Sequence, residues 1–139
     1  MALNLESLIK SINALERSID VALSNWSIME KDLQETVRAG IIQQFEVAYE
    51  QCSKMIQRWL RENRNPEEAE NPRSRKELFR MAARHALIAD PVPWFYYGEA
   101  RNRTAHTYNE GDAVAVYSIA GEFLKDAQYL MNQLKSAND

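Results

Sequence analysis

Cysteine occurs once, at Cys52, so this chain cannot staple itself with an internal disulfide. The thiol sits among apolar helical positions and reads as a buried structural residue in a reducing compartment. Glycine and proline number four each, too few for the frequent turns of a β-sandwich or barrel. No run of about 18 apolar residues is present, so no membrane-spanning helix is expected. The start, "MALNLESLIK", has no basic stretch feeding an apolar block and does not read as a secretory signal, so a cytoplasmic location is expected. Histidine occurs only twice, at His85 and His106, far apart in sequence. With no Glu-x-x-His pair and no cysteine pair, the metal-site prospects are poor and no metal or cofactor is expected. Glu46 and Glu50 share a helix face and could hold a hard cation, but a solvated or ion-paired face is the commoner outcome. The net charge of −3 argues against a general nucleic-acid coat.

What remains is an ordinary globular mixture. Apolar residues make up 45% of the 139-residue chain, enough for one domain over 1–139 that buries a core unaided. Helical periodicity runs through most of it. Leu5, Leu8, Ile12, Leu15 and Ile19 mark a first helix over about 4–23. A capping box, Ser27 to Glu30, is expected to open a second helix of about 30 residues, striped by Leu33, Val37, Ile41, Phe45, Ala48, Cys52, Met55 and Trp59. The polar run from Arg61 to Ser74, with two Asn-Pro pairs, reads as a loop. A second box, Ser74 to Glu77, opens a third helix with Leu78, Ala82 and Ala86 inward, ended by "DPVP". Pro93 suits the first turn of a fourth helix. "NEGD" breaks that helix, and Val116, Ala120, Phe123, Ala127, Leu130 and Leu134 stripe a fifth. The expected fold is all-α, an antiparallel up-and-down bundle of about five helices.

Charge is unevenly spread. Between Arg58 and Arg103 lie nine arginines and one lysine against seven acids, a local net of +3. Arginine's planar fork suits phosphate, so a phosphate-binding face is expected here. "EARNRTAHTYNEG" (Glu99 to Gly111) concentrates the chemistry. On an ideal helix Arg101 and Tyr108 point nearly the same way, whereas His106 lies about 140° from Arg101. A single straight helix therefore does not aim Arg101 and His106 at one atom. The helix ends or bends between them, or the arginine reaches around, or a second copy completes the site across a two-fold axis. Imidazole can take and return protons near neutral pH, and guanidinium can stabilise charge growing on phosphate. These types suit RNA cleavage by the strand's own 2′-hydroxyl. His85 reads as a structural histidine. Trp94, Tyr96 and Tyr97 read as core or dimer interface rather than base-stacking platforms.

"RNRTAHTY" resembles the Arg-x4-His-x-Tyr signature of HEPN domains. "QFEVAYE", "SRKELFRMAARHALI" and "EARNRTAHTYNE" resemble the subgroup of nucleotidyltransferase substrate-binding proteins, over nearly the whole chain after Leu33. Gln44 is a departure, standing where the family pattern has Arg before Phe-Glu. The resemblance implies a helical homodimer with Arg101 and His106 of both protomers lining a shared cleft. It also implies a minimal nucleotidyltransferase partner encoded nearby and a toxin–antitoxin role. On that reading His106 is the general acid/base of a metal-independent endoribonuclease, Arg101 stabilises the phosphate, and Asn102 and Arg103 position the RNA backbone. Tyr108 is the residue a partner could nucleotidylate. The alternative is a non-catalytic subunit holding a nucleotide or substrate for the transferase, and a third reading is a purely structural helical dimer.

Overall fold

Lys31–Asn63 forms one unbroken helix of 33 residues, α2, and the other helices pack around it. The computed structural model describes residues 3–63, 74–106 and 110–137, without the side chains of 105 and 106. Within these, α1 (Glu6–Asn25), α2, α3 (Arg75–Arg84), α4 (Val92–His106) and α5 (Glu110–Ala137) make the expected antiparallel bundle, with no strand among the described residues. α2 touches all four other helices, and its most extensive seams are with α1 and α5. Among the described residues no helix is long and apolar enough to cross a membrane.

Periodicity accounts for the core. The α5 stripe (Val116, Ala120, Phe123, Ala127, Leu130, Leu134) is entirely buried, as are Leu8, Ile12 and Leu15 of α1. Phe123 sits edge-on to Phe45 (ring centroids 4.9 Å apart), Tyr97 (5.3 Å) and Trp94 (5.8 Å). These are the edge-to-face arrangements that aromatic quadrupoles favour, and they tie α2, α4 and α5 together. Trp94 and Tyr97 therefore belong to the core, whereas Tyr96 is 61% exposed. Cys52 is fully buried and free, and burial pushes its thiol far above the ordinary range, which keeps it an inert packing residue.

The structure differs from the periodicity reading at several ends. α2 begins at Lys31, not at Ser27, because Trp26–Ile28 forms a single 3-10 turn and Met29 is extended. Trp26 stacks on Tyr117 of α5 at 5.2 Å, and its carbonyl accepts from Gln34 Nε2 at 2.7 Å, so tertiary contacts fix the turn there. Leu33 is exposed, because the first turn of α2 extends past the buried part of the stripe. α2 also runs three residues into the expected loop, ending at Asn63, whose amide donates to the Trp59 carbonyl at 3.0 Å; residues 64–73 of that loop lie outside the described residues. α3 ends at Arg84, well before "DPVP". Ala86 turns left-handed (φ 63°) and is exposed rather than inward. α4 begins at Val92, whose N–H is capped by the Asp90 carboxylate at 3.0 Å. Glu110, Gly111 and Asp112 of "NEGD" lie in the first turn of α5, where acidic side chains complement the helix dipole.

Candidate functional site

The Ser74 box behaves as expected. Its hydroxyl accepts the Glu77 N–H at 3.2 Å and so fixes the start of α3. That start places Arg75 over α2. Arg75 Nη1 donates to Ser53 Oγ at 2.8 Å, its Nη2 donates to Glu50 Oε2 at 3.0 Å, and its guanidinium lies 5.6 Å from the centre of the Tyr49 ring. Three contacts hold one side chain in one geometry. Burial pushes the Tyr49 phenol above its ordinary value, with the Arg75 charge opposing.

α4 delivers Arg101 to the same carboxylate from the other side. Arg101 Nε lies 3.2 Å from Glu50 Oε1, close enough for an ion pair but not aligned as a hydrogen bond. Arg101 Nη1 reaches Asn102 Oδ1 at 3.4 Å. Glu46, one turn before Glu50, also feels Arg101. Burial raises its carboxyl above the ordinary value, and the Arg101 charge pulls it back. The ion-paired reading of the Glu46/Glu50 face is thus the observed one for Glu50, whose two oxygens each meet a guanidinium.

Close backbone approach brings α4 here. A Cβ built on Gly98 would lie 2.7 Å from the Tyr49 hydroxyl oxygen, so glycine permits the seam. Beside the seam is a cavity of about 380 Å³ between α2, α3 and α4, with Phe79, Trp94 and Phe95 in its walls and Arg75, Arg101 and Asn102 at its edge. Lys76 Nζ and the Arg80 guanidinium lie 5.5 and 5.2 Å from the centre of the Phe95 ring, so cations cluster on this side of the molecule.

The sequence-predicted residues divide. Arg101 and Asn102 share the cavity edge. Arg103 pairs instead with Glu99 along α4, at 3.9 Å. The backbone of His106 is the last residue of α4, its side chain lies outside the described residues, and so does Tyr108. His85 caps the end of α3 and lies against Trp59, in keeping with a structural role. Gln44 lies in the groove between α1 and α2 with Ala14 and Gly40, so the departure there does not touch the Arg101 cavity. Sequence reasoning missed Arg75 and Glu50 as partners of Arg101. Glu50 stood out only by its spacing from Glu46, and Arg75 only as a member of a capping box. Arg38 was missed too. Its largely buried guanidinium lies over Trp26 and 4.0 Å from Glu110 at the start of α5.

Comparison with known proteins agrees with this architecture. Residues 3–136 match the family described as "Nucleotidyltransferase substrate binding protein like". A Haemophilus influenzae protein named "Probable ribonuclease HepT" is 35% identical over 138 residues, spanning 98% of this chain and 94% of that protein. A solved Haemophilus influenzae structure, described as the fold of a substrate binding domain of a nucleotidyltransferase, superposes with a TM-score of 0.86. It is 33% identical, covering 95% of this chain and 99% of that one. A crystal structure from Thermus thermophilus shares the fold, with a TM-score of 0.71 at 24% identity over 91% of this chain and 98% of its own. The helical architecture and these matches together place the chain in the nucleotidyltransferase substrate-binding family of HEPN domains.

Proposed function

We propose that the protein is the HEPN component of a HEPN/minimal-nucleotidyltransferase toxin–antitoxin pair, a metal-independent endoribonuclease acting in the cytoplasm as a homodimer. The observation that carries this reading is the continuity of α4 from Val92 through His106. An unbroken helix between Arg101 and His106, with Arg101 drawn toward Glu50, supports a second copy as what completes the site. The names of the relatives support the chemistry: one is called a probable ribonuclease, and the family is described by its likeness to nucleotidyltransferase substrate-binding proteins.

The reaction follows from the residue types. An imidazole takes the proton of the RNA 2′-hydroxyl, and the 2′-oxygen attacks the adjacent phosphorus. The bond to the 5′-oxygen breaks as an imidazolium protonates that oxygen, leaving a 2′,3′-cyclic phosphate and a free 5′-hydroxyl. Arg101 holds the charge that grows on the non-bridging oxygens. Asn102 and Arg103 position the flanking backbone. Partner control fits Tyr108. Transfer of a nucleotidyl group from a nucleoside triphosphate to its phenolic oxygen, with release of pyrophosphate, puts a bulky anion close in sequence to the catalytic residues and repels RNA.

The test is cleavage of RNA by purified protein in excess chelator, comparing wild type with His106→Ala and Arg101→Ala. Wild type is expected to cut and both variants to be nearly silent; cleavage that survives His106→Ala overturns the assignment. Sedimentation checks the dimer, and a mass increase mapped to Tyr108 after coexpression with the transferase checks the modification. The cavity beside Arg101 favours a second reading, a non-catalytic subunit that holds a nucleotide or substrate for the transferase. Nucleotide binding that needs Arg101 but not His106, without cleavage, selects it.

A further inference from the structure

We infer that the cavity between α2, α3 and α4 is a subsite for one nucleotide, in which Arg75 and Arg101 share its phosphate and Glu50 is the anion that the phosphate displaces. The inference rests on the proposed reading of Arg101 as a phosphate ligand, and it adds Arg75, Glu50 and the cavity.

Glu50 reports the geometry. Its two oxygens meet guanidinium groups from two different helices, at 3.0 Å from Arg75 and 3.2 Å from Arg101. Two guanidinium groups that meet at one carboxylate, Arg75 by a hydrogen bond and Arg101 by an ion pair, can meet at one phosphate, which offers more acceptor oxygens than the carboxylate. Arg75 is ready for this. Its bond to Ser53 and its packing over Tyr49 fix the side chain without Glu50. The carboxylate is the replaceable member, because both ion pairs are partly exposed to water, and such pairs are held weakly. A phosphate brings more charge and more acceptor oxygens than the carboxylate it replaces.

The remainder of the site suits a nucleoside rather than a bare anion. At about 380 Å³ the cavity falls at the small end of the roughly 300–1,000 Å³ typical of small-molecule pockets. Phe95 is the partly exposed aromatic of its apolar lining, with the buried Phe79 and Trp94 behind it, and Gly98 adds no side chain to fill it. An apolar lining with one accessible aromatic ring, next to two guanidinium groups, matches a base joined to a phosphate. The nucleotide can be free or part of an RNA strand; the ligand chemistry is shared.

Calorimetric titration of the full-length protein with the four nucleoside 5′-monophosphates, the unphosphorylated nucleosides and a short RNA oligomer tests this. Arg75→Ala is expected to weaken monophosphate or oligomer binding by about tenfold or more, the loss of one charge-assisted hydrogen bond. Glu50→Gln is expected to tighten it, because a competing anion is gone; a carboxylate that merely positions the arginines predicts the reverse. Nucleosides without phosphate are expected to respond to neither change. Should Arg75→Ala fail to fold, as judged by circular dichroism, Arg75→Lys keeps the charge but loses the fork and is expected to weaken binding. Binding of monophosphates identifies a free nucleotide as the ligand, and binding of the oligomer alone identifies a strand. Unchanged affinity in the Arg75 variant, weaker affinity in Glu50→Gln, or no binding by any phosphorylated probe overturns the subsite. RNA cleavage by wild type that persists alongside such a result removes the subsite and leaves the ribonuclease reading standing.

Discussion

Arg101 on α4 faces Glu50 on α2 at 3.2 Å through its inner nitrogen, so one guanidinium is both anchored to the bundle and presented at a cavity edge. The anchoring is electrostatic and partly exposed to water, and such pairs contribute about 0–1 kcal/mol to stability. The presentation is where function is expected to lie. Arg101→Lys therefore separates the two. It keeps a positive charge beside Glu50 and leaves the melting temperature within about 3 °C of wild type. It loses the planar fork that matches phosphate, so RNA cleavage is expected to fall by at least about tenfold. A Lys variant that cleaves at the wild-type rate shows that a point charge suffices and that the fork is not needed.

The acid limb of the stability curve should carry a signature of Glu46. Burial holds its carboxyl above the ordinary value of 4.5, with Arg101 opposing. A group that stays protonated longer in the folded chain than in the unfolded one stabilises the fold below the ordinary value. That contribution is lost as pH rises through the raised value. Urea midpoints measured from pH 4 upward are expected to show Glu46→Gln losing part of this decline. Parallel profiles for the two proteins show that burial at Glu46 is not coupled to folding.

How far the sequence reveals this arrangement depends on whether the cause is local. Helical periodicity and the Ser74 capping box are local. They locate the buried stripe of α5 and the start of α3, and the resemblance of "RNRTAHTY" to a known signature picks out Arg101. The turn at Trp26 is not local, because it depends on stacking against Tyr117 far along the chain. Nor is the Glu50–Arg75 pair, which joins residues 25 apart on different helices. Capping explains why Ser74 stands where it does, but nothing in the same string says that the next residue reaches across to Ser53 and Glu50. Ala86 is misleading for another reason: its type and spacing suit a buried helical face, while its backbone has already left the helix.

Tyr97 and Asp126 pin α4 to α5. The phenol donates to the Asp126 carboxylate in a short hydrogen bond. Burial and this bond push the phenol well above its ordinary value near 10. Here too the folded value is raised, so the contribution is intact below about pH 10 and is lost as pH rises beyond it. Tyr97→Phe is expected to lower stability by about 1.5–3 kcal/mol at neutral pH, the usual contribution of a hydrogen bond to a charged group. It should also flatten the alkaline decline. Chemical denaturation at pH 7 and above pH 10 checks both. A Phe variant as stable as wild type at pH 7 means that the short contact contributes nothing net.

The end of α3 offers a stabilising change. The Leu87 N–H bonds to the Ala82 carbonyl at 2.9 Å and the Ala86 N–H to the Ala83 carbonyl at 3.0 Å. This paired closure is the Schellman pattern, with Ala86 at the left-handed position that glycine usually fills. Leu87 then turns into the core, and Gln133 of α5 donates to the Ala86 carbonyl at 3.0 Å, so the position is held from both sides. An alanine Cβ in this conformation costs roughly 1–2 kcal/mol, because it crowds the following carbonyl. Glycine removes the crowding but loses more entropy on folding, by roughly 0.5–1 kcal/mol. The net expectation for Ala86→Gly is a gain of about 0.5–1 kcal/mol, visible as a rise of about 2–4 °C in melting temperature. Ala86→Val, with branching next to the same carbonyl, should move the melt the other way. Since Ala86 is exposed and distant in sequence from the Arg101 segment, neither change should alter RNA cleavage. A glycine variant that melts lower than wild type shows that the chain does not turn left-handed at this residue.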